Sequence, residues 1–196
     1  MSLTLSEGKD LIAIAKESIC AIFQRKHYVP SQELQARYHD KQGVFVTLHK
    51  HGQLRGCIGF PEPTLPLADA VSHAAVSAAF EDPRFDPLAS SELDDIEIEI
   101  SVLTIPQKID ISDPKEYLKK IALGKDGLII RCHGHSGLLL PQVPVEQGWN
   151  AEEFLDYLCL KASLPQDAWH DPSSEIFSFQ AQIFTECDGE IIEKSI

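Results

Sequence analysis

The stretch Asp95-Ile-Glu-Ile-Glu-Ile-Ser-Val-Leu103 alternates strictly with period two, the spacing of a strand with one apolar and one polar face. Ile96, Ile98, Ile100 and Val102 share the first face; Glu97, Glu99 and Ser101 share the second. Such a strand suits an antiparallel sheet, which commonly packs one face and leaves the other wet. Partners lie upstream. Val44 to Leu48 reads as a strand and Leu54 to Phe60 as its mate, with His51-Gly52 between them. A two-residue turn with glycine is a hairpin signal, although His is not the favoured first residue. The 196 residues suit one domain, large enough to build a core without a disulfide or metal staple.

Helices are interspersed. Thr4 and Glu7 form a capping box ahead of Leu11, Ile12, Ile14, Ala15, Ile19, Ile22 and Phe23, which keep helical spacing to about Lys26. An alanine-rich helix runs from Leu67 to Phe80, and its small side chains let another element approach closely. Asp113, Pro114 and Gly124 frame a short helix over 114–123. Gly127–Cys132 and Gly137–Leu140 read as a second hairpin. Asn150 caps the last helix, with Glu153 reaching back and Trp149 placed to pack on Phe154; it ends near Ser163. Two closing strands, about Ile176–Cys187 and Glu190–Glu193, flank Asp188-Gly189. With strands joined mainly by hairpins and no regular βαβ alternation, the fold class is α+β. The whole chain, 1–196, reads as one domain, with a subdomain break near 104–113 around Pro106.

Charge narrows the function. Lys plus Arg total 17 against 30 Asp plus Glu, a net charge of -13. This acidic field repels nucleic acid and anionic lipid, so neither is an expected partner. No apolar run reaches membrane-spanning length, and the start MSLTLSEGKDLIAIAK lacks the basic-then-apolar order of a secretory signal. The five cysteines, Cys20, Cys57, Cys132, Cys159 and Cys187, form no CxxC pair and read as free thiols of a cytoplasmic protein.

The most unusual local feature is Gly43-Val-Phe-Val-Thr-Leu48 followed by Leu54-Arg-Gly-Cys-Ile-Gly59. Gly56 and Gly59 inside a strand-like run suggest a bulge, or close approach by a backbone or ligand. Arg55, two positions from Cys57, would favour a thiolate and hence a nucleophile. The competing reading pairs Cys57 with Val46 across the two-residue turn, on an apolar face, where a free cysteine is a small buried hydrophobe. Arg84, between Pro83 and Pro87, is either a rigid fork for a carboxylate or phosphate or, more simply, a cap on the carbonyls of the preceding helix. Glu99 and Ser101 lie on a wet face, or Glu99 sits in a cleft, pairing with an arginine or acting as a general base.

Three other groupings carry less. Asp69, His73 and Ser77 imitate a triad by residue type but line one exposed helix face. Cys132-His133-Gly134-His135 is a hairpin turn rather than a metal site, for want of three or four converging ligands; no metal is expected. Cys159 reads as core. The chain has no GxGxxG, Walker loop, GxSxG or HExxH, and its residues name no cofactor.

Leu54-Arg-Gly-Cys-Ile-Gly59, with Gly43-Val-Phe-Val-Thr-Leu48, resembles the hallmark of the AMMECR domain family, whose prokaryotic members include protein A of the AmmeMemoRadiSam system. The likeness continues through Asp82-Pro-Arg-Phe85, Glu99-Ile-Ser-Val-Leu103, Gly137-Leu-Leu-Leu-Pro-Gln-Val143, Glu146 with Trp149, Phe154-Leu155 and Cys159-Leu-Lys-Ala162. These blocks cover about residues 10 to 186 in order. The resemblance implies an intracellular α+β domain with larger and smaller subdomains, and genomic company with a Memo-like protein and a radical SAM protein. It implies no established reaction. The family motif carries over to Arg55, Gly56, Cys57, Gly59, Arg84, Glu99 and Ser101, whereas Phe60 replaces a small polar residue and narrows any adjacent pocket.

Two expectations follow. In one, the chain is a cysteine-dependent enzyme or binder of a small anionic ligand. Arg55 and Arg84 hold the anion, Cys57 is nucleophile or thiol ligand, and Glu99 is base or orienter. In the other it is a non-catalytic interaction module in which Cys57 is structural.

Overall fold

The computed structural model describes residues 3–187 and 189–194. In chain order its elements are α1 (Leu5–Phe23), α2 (Gln32–Arg37), β1 (Gly43–Lys50), β2 (Gln53–Phe60), α3 (Leu67–Phe80), β3 (Ile96–Leu103) and β4 (Gln107–Lys108). Then follow α4 (Tyr117–Lys120), β5 (Gly127–Cys132), β6 (His135–Leu139), α5 (Gln142–Gln147), α6 (Ala151–Lys161), β7 (Glu175–Phe179), β8 (Ala181–Cys187) and β9 (Glu190–Lys194). The class is α+β with antiparallel pairing. The described residues divide into two compact units, one of 3–103, 182–187 and 189–194, the other of 104–181.

The first unit carries a five-stranded sheet in the order β2-β1-β3-β8-β9. The apolar face of β3 packs with Val44, Val46 and Leu48 of β1 against α1 and α3, giving one buried cluster. Thr4 closes the expected capping box, its hydroxyl accepting from the Glu7 amide. In α3 the alanines do what their size allows, bringing the helix backbone against β2. A side chain at Gly56 would put its Cβ 2.1 Å from the Ala78 carbonyl oxygen.

The register of the first hairpin differs from a plain two-residue count. His51 and Gly52 form the turn with φ 52° and 74°, both left-handed as a type I′ turn requires. Lys50 pairs with Gln53 and His49 with Leu54, but Leu48 pairs with Gly56. Arg55 is therefore the extra residue of a β-bulge. Cys57 stands opposite Thr47, not Val46, and a one-residue slip moves a strand residue to the other face of the sheet. The apolar-face reading of Cys57 is corrected on this ground.

The second unit has a four-stranded sheet, β4-β7-β5-β6, with α6 packed on it and Leu128, Ile130, Phe154, Leu155, Leu158 and Trp169 at its centre. Asn150 caps α6 and Glu153 completes the box. Trp149 packs on this core and stacks on Tyr157, ring centroids 4.1 Å apart.

Several expected elements change. The helix over 114–123 reduces to a 3₁₀ turn at Pro114–Glu116 and the single turn α4. The strand read over Ile176–Cys187 is two, β7 and β8, each in a different sheet, and the Thr104 hydroxyl accepts from the Gln180 amide at the change. α5 escapes the pattern because Pro144 resembles a breaker, yet it stands in the first turn, where a missing N–H costs nothing. α2 is short, has no buried residue and starts on the Ser31 cap. Of the turn at Asp188-Gly189, Asp188 lies outside the described residues.

Candidate functional site

Because of the bulge, Cys57, Thr47 and Glu99 form one row across three strands. Thr47 pairs with Cys57 on one side and with Glu99 on the other, so all three side chains rise from the same face, opposite the α1–α3 core. Directly opposed residues have Cβ atoms about 5 Å apart. The Thr47 hydroxyl donates to the Cys57 sulfur at 3.3 Å. Cys57 is half-buried, neither sealed in hydrocarbon nor free in solvent.

The segment after α3 clamps the backbone at this cysteine. Asp82, 4% exposed, accepts from the Cys57 amide at 2.8 Å. Its two oxygens also receive Arg84 Nε at 2.9 Å and Nη2 at 2.7 Å. These guanidinium bonds, with the amides of Cys57 and Arg84, hold the Asp82 carboxyl well below the usual carboxylate range despite its burial. Arg84 Nη2 further donates to the Cys57 carbonyl at 3.2 Å. The helix-capping reading of Arg84 is thereby replaced: its target is a strand carbonyl 27 residues upstream in sequence. About half of the guanidinium-bearing side chain remains exposed.

Glu99 and Ser101 do not lie on a wet face; they are 7% and 2% exposed. Glu99 pairs with Lys194 at 3.0 Å, so its partner is a lysine from β9 rather than an arginine. Arg55, set apart as the bulge residue, turns to Glu92 through Nε at 3.2 Å and Nη2 at 3.0 Å. Lys50 reaches the same carboxylate at 2.9 Å. The arginine's bonds, with help from the Ala89 amide and Lys50, draw the Glu92 carboxyl down to about 2. Arg55 and Arg84 both lie over the Phe85 ring, at 5.9 and 5.5 Å.

The glycines are explained by packing. Gly56 admits the α3 backbone, while Gly59 lies beneath the Phe45 ring, whose atoms would come within 2.5 Å of an added Cβ. Phe60 lines a cavity of about 350 Å³ with Ser18, Tyr28, Ser72, His73 and Glu81. Arg55 lines a shallow hollow with Lys50, His51, Gln53 and Leu54. Cys57 belongs to neither. The structure thus sets Cys57 and Glu99 on either side of Thr47, holds Arg84 at the Cys57 backbone on the outer edge of β2, and leaves Arg55 beside Arg84 over the shared Phe85 ring. Sequence reasoning missed Thr47, Asp82, Glu92 and Lys194. Asp82 carried a usable signal, a carboxylate two residues before an arginine in the segment held by two prolines.

Elsewhere, Cys159 is core as expected, and burial pushes its thiol up to about 11. Among Asp69, His73 and Ser77, the serine hydroxyl donates to Glu81 and no triad forms. The hairpin tip at Cys132-His133-Gly134-His135 is a turn, but Asp171 joins it: one ligand atom each of Cys132, His133 and Asp171 lies within 4.8 Å of the others. His135 is not part of that group.

Among the described residues no helix is long and apolar enough to cross a membrane. The profile of the AMMECR1 family matches residues 12–184. Protein MK0488 of Methanopyrus kandleri is 49% identical over 191 residues, covering 96% of this chain and 92% of its own. Protein MJ0810 of Methanocaldococcus jannaschii is 48% identical over 198 residues, covering 99% and 98%. The crystal structure of the uncharacterized protein PH0010 from Pyrococcus horikoshii superposes with a TM-score of 0.91 at 42% identity, covering 97% of this chain and 98% of that one. The motif residues, the two-sheet α+β fold and these full-length likenesses agree: the chain belongs to the AMMECR1 family.

Proposed function

We propose that Cys57 is the working thiol of a site that binds or transforms a small anionic molecule. The observation that carries this reading is the Thr47 hydroxyl donating to the sulfur at 3.3 Å. Arg84, oriented by a buried carboxylate, is held at the same residue. Thiolate is the nucleophilic and ligating form of cysteine, and it is the form such a site uses. Glu99, buried and two row positions away beyond Thr47, serves as base or orienter, ion-paired to Lys194. Arg84 has the exposed guanidinium surface an anion needs; Arg55, engaged by Glu92, contributes positive field more than a free fork. In this reading the protein works in the cytoplasm beside a Memo-like protein and a radical SAM protein.

Peptide-resolved alkylation over a pH series tests it. In the folded protein Cys57 should react faster than a small free thiol at neutral pH. Reaction no faster than an ordinary thiol, rising sharply on unfolding, overturns the nucleophile role. A second reading has its own support: Gly56 and Gly59 are accounted for by backbone and ring packing, as an interaction module with a structural Cys57 requires. Co-purification with the two partners, unchanged by Cys57→Ala, would favour it.

A further inference from the structure

We propose that the tip of the β5–β6 hairpin, in the second unit, is a site for a divalent transition metal of the zinc class. Its ligands are Cys132 Sγ, His133 Nε2 and Asp171 Oδ2. The three atoms come from two chain segments and lie within 4.8 Å of one another, with His133 Nε2 to Asp171 Oδ2 at 3.3 Å. With metal–nitrogen and metal–oxygen bonds of about 2.1 Å and metal–sulfur of about 2.3 Å, tetrahedral ligands stand about 3.3–3.6 Å apart. The histidine–carboxylate edge already has that length, and the sulfur edges need only small side-chain rotations.

The local chain explains the convergence. Cys132 is the last residue of β5 and is buried. His133 follows at φ 49° and Gly134 at φ 82°, a type I′ turn whose first position ordinarily prefers Asn, Asp or Gly. Asp171 is locked by its other oxygen: Oδ1 accepts from the Ser173 amide at 2.8 Å and from the Ser173 hydroxyl at 2.7 Å. That leaves Oδ2 for a ligand. The same hydroxyl lies 3.0 Å from His133 Nε2 and 3.6 Å from Cys132 Sγ, so one small polar group already touches two of the donors and the other oxygen of the third.

A hydrolytic triad is the wrong reading of these residues. Ser173 and Asp171 both approach Nε2 of His133, whereas a triad needs the serine on one ring nitrogen and the carboxylate on the other. A thiolate, a carboxylate and a neutral imidazole balance a dication, and sulfur with imidazole selects zinc, cobalt, nickel or copper over magnesium and calcium. The side chains of His133 and Asp171 are 65% and 41% exposed, so the fourth position opens to water, as in sites that keep a reactive place.

The test is Co²⁺ titration of the reduced, chelator-stripped protein, followed by Zn²⁺ competition. One equivalent should bind with a sulfur-to-cobalt charge-transfer band and tetrahedral visible bands, which Zn²⁺ removes. Cys132→Ser should abolish the charge-transfer band and Cys57→Ser should leave it. His133→Asn, which keeps the turn, and Asp171→Asn should each weaken binding at least about tenfold, and Ser173→Ala by about tenfold. No thiolate band, one that survives Cys132→Ser, or an affinity unchanged in His133→Asn overturns the proposal. Should Cys132→Ser fail to fold, His133→Asn decides alone, since its exposed turn position accepts Asn. The Cys57→Ser arm keeps the outcome separate from that of the Cys57 site.

Discussion

The two hairpins begin from the same turn and end with different chemistry. His51-Gly52 and His133-Gly134 share a left-handed pair of residues, φ 52° and 74° against 49° and 82°. In the second hairpin the pairing runs regularly from Leu128↔Leu139 to Cys132↔His135, so Cys132 remains buried at the strand end. In the first, the bulge at Arg55 breaks the register and moves Cys57 to the outer face. Identical turn chemistry therefore does not decide where a cysteine goes; one extra residue does. The same bulge frees Arg55 for Glu92 and brings Gly56 under α3.

This contrast can be broken most severely at Gly56. Gly56→Val forces a side chain into the Ala78 carbonyl and should cost about 3 kcal/mol or more by denaturant unfolding. Gly52→Ala at the turn meets no atom within 4 Å and should cost only about 1 kcal/mol, from its left-handed backbone. Equal losses would refute the claim that the α3 backbone leaves no room for a side chain at Gly56.

Next in size is the carboxylate that holds the bulge residue. The Glu92 carboxyl falls from 4.5 in the free group to about 2 in the folded protein. Its contribution to stability is thus complete above about pH 4.5 and is lost as pH drops toward 2. Glu92→Gln should remove on the order of 2–3 kcal/mol at pH 7 and flatten the decline of melting temperature between pH 5 and pH 3. An unchanged acid limb would show that the Arg55 pair contributes nothing to holding the bulge.

A smaller effect separates the two cysteines. Thr47→Val removes the donor to Cys57 while keeping the shape and should slow its alkylation at neutral pH by about threefold to tenfold. The rate at Cys132 should not move. If Cys57 is unaffected, the row across the three strands has no bearing on the thiol. Smallest of all, His51→Asn and His133→Asn should each stabilise the metal-free protein by a few tenths of a kcal/mol, because Asn-Gly suits a type I′ turn. Urea unfolding would read this, and a loss at either site would mean the histidine itself supports the turn.

Much of the fold was legible because local rules acted alone. Period-two alternation over 95–103, the Thr4 and Asn150 caps and the small face of α3 each specify an element without help from distant residues. Elements that conflict with a local rule were lost: α5 behind Pro144, and the break at Gln180 inside a continuous strand-like run. The candidate site divides in the same way. Cys57, Arg84 and Glu99 stand out by type and setting, whereas Thr47, Asp82, Glu92 and Lys194 look ordinary until strands and segments far apart in sequence meet.

The amino-acid order by itself determined which stretches became strands and helices, the AMMECR1 membership and the unusual character of residues 54–59, because periodicity, caps and motif residues are properties of neighbours along the chain. Only the tertiary structure decided on which face Cys57 stands and which carboxylates hold the two arginines. It also decided that Asp171 joins Cys132 and His133. The bulge lies where the α3 backbone comes against Gly56, and the side chains of Cys132, His133 and Asp171 converge where two turns meet; both depend on distances through space.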